Sequence, residues 1–288
     1  MVRGWRLLLL IGATLAWGAG PGEASVQRSS DERGPATRLE RPTEATSAAV
    51  DELLLLSGLR PQLDALAEGI RAQLQQAQGT LSSQDRAVVD RIVARHFGAE
   101  MLYARIRMEI GRHVDAPRLA QALDWYRSPL GRRITQAEVA AITAERDTIP
   151  WPSEERIELV QRLDERGGAS ETALDVAMVL VRSLTRAAEP VRPAHLRLTS
   201  DQLESQLARA RTEALAPVRI ACLQNMLFAY RGLDDAELAE YVRFVDSGAG
   251  QWYVTSMNQA LVDAIGVAAE LAAVEFVTLL PHLTGDLR

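Results

Sequence analysis

Lysine is missing altogether: all 32 basic side chains carried by the 288 residues are arginine. They are spread along the chain and outnumbered by 38 acidic residues, for a net charge of −6 and a pI near 5.4. That balance leaves no basic field to attract nucleic acid, and the arginines read as a compositional bias on solvated helix faces rather than as phosphate binders. Cysteine is reduced to Cys222, which excludes an internal disulfide. Its apolar setting, Ile220-Ala221-Cys222-Leu223, is that of a small buried hydrophobe, and no histidine lies near it in sequence to activate a nucleophilic thiol. Aromatic residues make up only 5% of the chain. The apolar remainder is mostly Ala, Leu and Val, interleaved with Glu, Gln and Arg, a composition of helices rather than strands.

Long charge-free apolar runs are also scarce. Leu7–Trp17, too short to span a bilayer comfortably, follows the positive Arg3 and Arg6 and precedes the small residues Gly18–Ala24. Residues 1–24 therefore read as a secretory signal peptide, cleaved after Gly20 or Ala24, which places the mature protein in the periplasm or outside the cell. No cysteine follows the apolar run to take a lipid anchor, and no transmembrane span is expected in the mature chain. Residues 25–47, a mixture of Ser, Thr, Pro, Glu and Arg without periodicity, read as a disordered linker.

From Ser47 the pattern is helical throughout. Val50, Leu53, Leu54 and Leu56 form one stripe ended at Gly58, and Leu63, Leu66, Ile70 and Leu74 form the next. Ser82 with Asp85 opens a long helix striped by Val88, Ile92, Ala99, Leu102, Ile106 and Ile110. Asp115 caps the following one, with Pro117 in its first turn. That helix reaches Asp124-Trp125-Tyr126-Arg127-Ser128-Pro129-Leu130-Gly131, where Pro129 cannot donate the backbone N–H that an unbroken helix requires. Ser128 reads as the N-cap of a new helix, Pro129 as its first residue and Gly131 as the site of a close backbone approach.

The same joint recurs 119 residues later. Asp234 and Glu237 repeat the upstream cap, Leu238 falls on Leu119, Phe244 on Trp125, Ser247 on Ser128 and Gly250 on Gly131. A catalytic motif is seldom copied with its proline replaced by Gly248; a helix joint is readily copied so. The expected fold is all-α, two related helical-bundle modules from an internal duplication: residues 48–149, then a connector helix capped by Ser153 and a second module within 150–288. The second module carries segments at Leu174, Met178, Val181 and Leu184, at Thr199 with Gln202 leading into Leu203 and Leu207, and at Leu223, Met226, Leu227 and Tyr230. A mostly apolar last helix from about Gly250 to Leu280 is expected at the centre of the core.

Leu56-Ser57-Gly58-Leu59 followed by a helix, together with Trp125-Tyr126-Arg127-Ser128-Pro129-Leu130-Gly131-Arg132-Arg133, resembles the bacterial family known as domain of unknown function 2059. The resemblance implies an exported α-helical protein and transfers no catalytic residue. Phe244–Tyr253 echoes the same pattern in divergent form.

Residue patterns for chemistry are sparse. His96, His113, His195 and His282 form no His-x-x-x-His pair, no Gly-x-Ser-x-Gly is present, and Gly167-Gly168 reads as a helix stop rather than a phosphate loop. Paired acids such as Glu154-Glu155 and Asp234-Asp235 stand at helix starts, where the helix dipole explains them. No catalytic, cofactor or metal residues are assigned. The favoured reading is a non-enzymatic cell-envelope binding module for an unknown protein, peptide or hydrophobic ligand. The alternative is an envelope hydrolase or lyase built around His96, Glu100 and Tyr103, and a third is a membrane-surface role for the last helix.

Overall fold

The computed structural model describes residues 44–77, 82–145, 151–191, 195 and 197–279. The signal-peptide reading of residues 1–24, nearly all of the proposed linker, Pro150 and His282 lie outside the described residues. What is described is helical, with no strand among those residues.

The first half comprises α1 (Glu44–Leu56), α2 (Leu59–Ala77), α3 (Ser83–His96), α4 (Ala99–Arg112), α5 (Ala116–Arg127) and α6 (Pro129–Thr143). The second comprises α7 (Glu154–Gly167), α8 (Ala169–Ala188), α9 (Ser200–Ala229), α10 (Asp235–Asp246) and α11 (Gly248–Leu279), with short 3-10 turns at Glu189–Val191 and Tyr230–Gly232. Side-chain caps start the helices where the sequence places them. The oxygens of Ser82, Asp115, Ser153, Thr199 and Asp234 each accept a first-turn backbone N–H.

Three expectations need correction. The long helix from Ser82 is broken at Phe97 and Gly98, because Gly98 adopts an extended ψ of 137° and starts a separate helix. Val89, Val93 and Phe97 are buried beside Ile92, whereas Val88 is only half-buried. Conversely, the segments that follow Thr199 and lead to Ala229 are one continuous helix of 30 residues with Pro217 inside it. The missing N–H and the ring's steric demand cost helix stability, but burial on both sides of the proline, at Ala214, Val218 and Cys222, holds the helix together. On α8 Leu174 and Met178 are buried as expected, joined by Ala173, Val176, Ala177 and Leu180, and Val181 is half-buried, but Leu184 at the end of the stripe is exposed.

The two halves are built alike. Each opens with a helix ended by a left-handed glycine, Gly58 at φ 69° and Gly168 at φ 59°. Each closes with the serine joint: Ser128 Oγ accepts from Gly131 N at 3.0 Å, and Ser247 Oγ from Gly250 N at 3.0 Å. At both joints the glycine has no room for a side chain, since a Cβ would run into the carbonyl oxygen of the residue six earlier, Trp125 or Phe244. Between these landmarks, Ser83–Arg112 spans the same length as Ser200–Ala229. The counterparts Arg127 and Asp246 even make matching ion pairs of opposite sign, Arg127 with Glu52 on α1 and Asp246 with Arg162 and Arg166 on α7.

One continuous apolar core draws on both halves, from Val50 to Ala272. The two joints meet at the edge of this core, where half-buried Trp125 stacks on its own counterpart Phe244, with centroids 4.5 Å apart and planes 6° from parallel. The halves also cross over, α4 packing on α11 and α9 on α6. As expected, α11 is central, touching α3, α4, α5, α8 and α10.

Candidate functional site

Beside the stacked pair lies a buried polar cluster. Glu138, on the third turn of α6, is 6% exposed. Its Oε1 accepts from the hydroxyls of Tyr230 at 3.0 Å and Tyr241 at 3.2 Å. Tyr126 and Tyr253, packed edge to face at 5.1 Å, complete the wall. Burial pushes the Glu138 carboxyl up to about 8, with the two tyrosine hydrogen bonds pulling the other way. Burial also holds the phenols of Tyr126, Tyr230 and Tyr241 well above their ordinary range. Two arginines pin the turn that presents Tyr230. Arg156 donates to the carbonyls of Tyr230 and Leu233 at 2.6 and 2.8 Å and pairs with Asp235, while Arg133 donates to the carbonyl of Gly232 at 2.9 Å. The counterpart of Glu138 in the second half is Met257, which lines the same small cavity. That cavity, about 40 Å³, is far below the roughly 300–1,000 Å³ of small-molecule sites. The cluster holds a proton in the neutral range without offering room for a substrate.

An open groove of about 770 Å³ adjoins it, the two sharing Leu59 and Gln62 in their walls. One wall is α2, through Leu59, Leu63, Ala65, Gly69 and Ala72. The other is the end of α6, through Val139, Ile142, Thr143 and the cap residue Ala144, and Phe228 and Asn225 of α9 with Leu261 of α11 close it. Small residues on both walls keep the space open, and its surface is predominantly apolar. Its size lies within the range of ligand pockets.

The residues singled out by sequence for chemistry are not brought together. His96 turns to α11, its Nε2 lying 2.6 Å from Glu275 Oε2, while Arg95 holds the other oxygen at 2.7 Å. Glu100 is exposed and pairs with Arg60, whose guanidinium lies 5.8 Å from the Tyr103 ring. The cause is the break at Gly98, which separates His96 from the helix carrying the other two. His113 and His195 are exposed, His113 lying 3.7 Å from Glu109. Among the described residues no three His, Cys, Asp or Glu are grouped to hold a metal ion, and no helix is long and apolar enough to cross a membrane. Cys222 is fully buried, and burial pushes its thiol up to about 12. Nearby, buried Asp164 accepts from the backbone N–H and hydroxyl of Ser170 at 2.9 and 2.8 Å and so tethers the start of α8.

The Glu138 cluster and the groove went unmarked in the sequence. The one signal available for Glu138 was its position four residues after the apolar Ile134, on the buried side of α6.

No curated protein and no solved structure matches the chain. Residues 110–149, from the end of α4 through both helices of the first serine joint, match the profile of a family described as an uncharacterized protein conserved in bacteria (DUF2059), and this segment carries that family's signature.

Proposed function

We propose that the chain is an exported cell-envelope protein whose role is binding rather than catalysis, and that the groove between α2 and α6 is its binding surface. The supporting observation is the groove itself: an apolar trough of about 770 Å³, lined by leucine, isoleucine and phenylalanine with small residues between them, on a surface otherwise laced with ion pairs. The export reading rests on Arg3, Arg6 and the apolar run Leu7–Trp17 followed by small residues. Fusing residues 1–24 to a reporter enzyme active only outside the cytoplasm tests it. Activity supports export, and a silent reporter contradicts it.

Binding is tested with an anilinonaphthalene sulfonate dye, which fluoresces in apolar surroundings, titrated into the full chain and into Gly69→Phe. The bulky ring fills the groove, and replacing a helical glycine carries no propensity cost. Saturable fluorescence that Gly69→Phe abolishes supports the reading. No saturable signal, or the same signal in the variant, contradicts it. The trio His96, Glu100 and Tyr103 supplies no comparable surface, since Glu275 engages His96 while Glu100 and Tyr103 share Arg60, and no reaction is assigned to it.

A further inference from the structure

The likeness of the two halves says what fits the groove. At an offset of 110 residues, buried Leu63, Leu66 and Ile70 of α2 correspond to buried Ala173, Val176 and Leu180 of α8. The helices following the two serine joints, α6 and α11, also correspond, but they differ in length: α6 stops after 15 residues and α11 runs for 32. The extra length of α11 lies along α8, where Gly266 receives Val179, whose Cγ1 sits 3.3 Å from where a Cβ at Gly266 would be. On α2 the counterpart of Val179 is Gly69, and Gly69 faces the groove. Beside α8 there is a helix; beside α2, past the end of α6, there is a trough.

We infer that this groove docks an amphipathic helix of a partner protein, with an Ala- and Val-rich apolar face and basic residues at its edge. The shape follows from the α8–α11 contact, in which small residues on one helix admit branched ones on the other at close range. The charge follows from the rim. Asp64 and Glu68 stand on the lip and, among the described residues, no arginine lines it, although Arg71 of the same helix pairs with Glu68 at 2.5 Å. An acidic helix edge would be repelled there and a basic one drawn in. The inference rests on the binding reading above and names its occupant.

The test is a fluorescein-labelled peptide copying residues 262–279, with D263R, E270R and E275R, titrated into the full chain by anisotropy. Its acidic parent sequence serves as comparison. Saturable binding of the arginine peptide is expected, weakened about tenfold or more for the acidic parent and for Gly69→Phe, as expected for lost steric and charge complementarity. Ala72→Phe, on the exposed side of the same wall, serves as a second variant should Gly69→Phe fail to fold. Absent binding, binding indifferent to both variants, or equal binding of the two peptides overturns the inference. Displacement of the dye by a long-chain fatty acid but not by the peptide overturns it in favour of a lipid. Self-association of the chain that Gly69→Phe abolishes overturns it in favour of a second copy. If the dye binds at the groove and the peptide does not, the helix inference falls while the binding reading stands; if neither binds, both fall.

Discussion

Glu138 shows what one buried carboxyl does to a helical core. The unfolded chain ionises it near 4.5 and the folded state near 8, so the native protein binds that proton more tightly. The resulting stabilisation is complete below about pH 4.5 and is lost as the pH rises through about 8, with a slope of at most about 1.4 kcal/mol per pH unit. Urea titrations across pH 4–9 are expected to show this fall for the native sequence and a flatter profile for Glu138→Gln, which keeps the shape and cannot ionise. Parallel profiles for the two would show that Glu138 is not the group responsible. The sequence concealed this residue for a physical reason. An isolated glutamate in Ile134-Thr135-Gln136-Ala137-Glu138-Val139 looks like a solvated helix position, and it is buried only because Tyr230 and Tyr241, about a hundred residues away, close over it. Cys222 is the opposite case, legible from its apolar neighbours. Its thiol, pushed up to about 12 and fully covered, is expected to react with a disulfide reagent only after denaturation. Prompt labelling of the native chain would contradict that.

At the scale of the element, the serine joints were readable because each feature has a local cause: a cap, a proline without an N–H, a glycine where no Cβ fits. Gly131→Ala and Gly250→Ala each place a methyl against a backbone carbonyl that cannot rotate away, and each is expected to cost roughly 2 kcal/mol or more by chemical denaturation. A loss under half that would mean the joint has slack. Ser128→Ala and Ser247→Ala remove only the cap and are expected to cost about 1 kcal/mol each. Arg156 belongs to the same scale though its partners are tertiary. Half-withdrawn from solvent, it holds the 3-10 turn before α10 by two carbonyls and a carboxylate, so Arg156→Met is expected to destabilise the chain by about 2–3 kcal/mol through lost charge-assisted hydrogen bonds. What was not readable were the helix boundaries decided by packing. Gly98, a poor helix former, breaks a stripe that looked continuous, whereas Pro217 leaves one unbroken because burial around it outweighs its propensity.

Over the whole molecule, two similar sets of helices share one core, and the likeness fails at the groove. The repeat of the serine joint was visible in the sequence, and so was the all-α class. The crossing of α4 onto α11 and α9 onto α6 was not, since no local pattern records which half a helix packs against. Nor was the groove, which arises from the unequal lengths of two corresponding helices and is a property of neither. The most direct measurement places an environment-sensitive fluorophore on the thiol introduced by Ala72→Cys, at the groove wall, with Cys222 too deeply buried to compete for label. The same label on Glu240→Cys, an exposed position on α10, is the reference. Titration with the arginine-substituted helical peptide is predicted to give a saturable spectral shift at the groove and none at the reference. No shift at the groove, or equal shifts at both positions, would contradict the account of this protein as a groove-binding module.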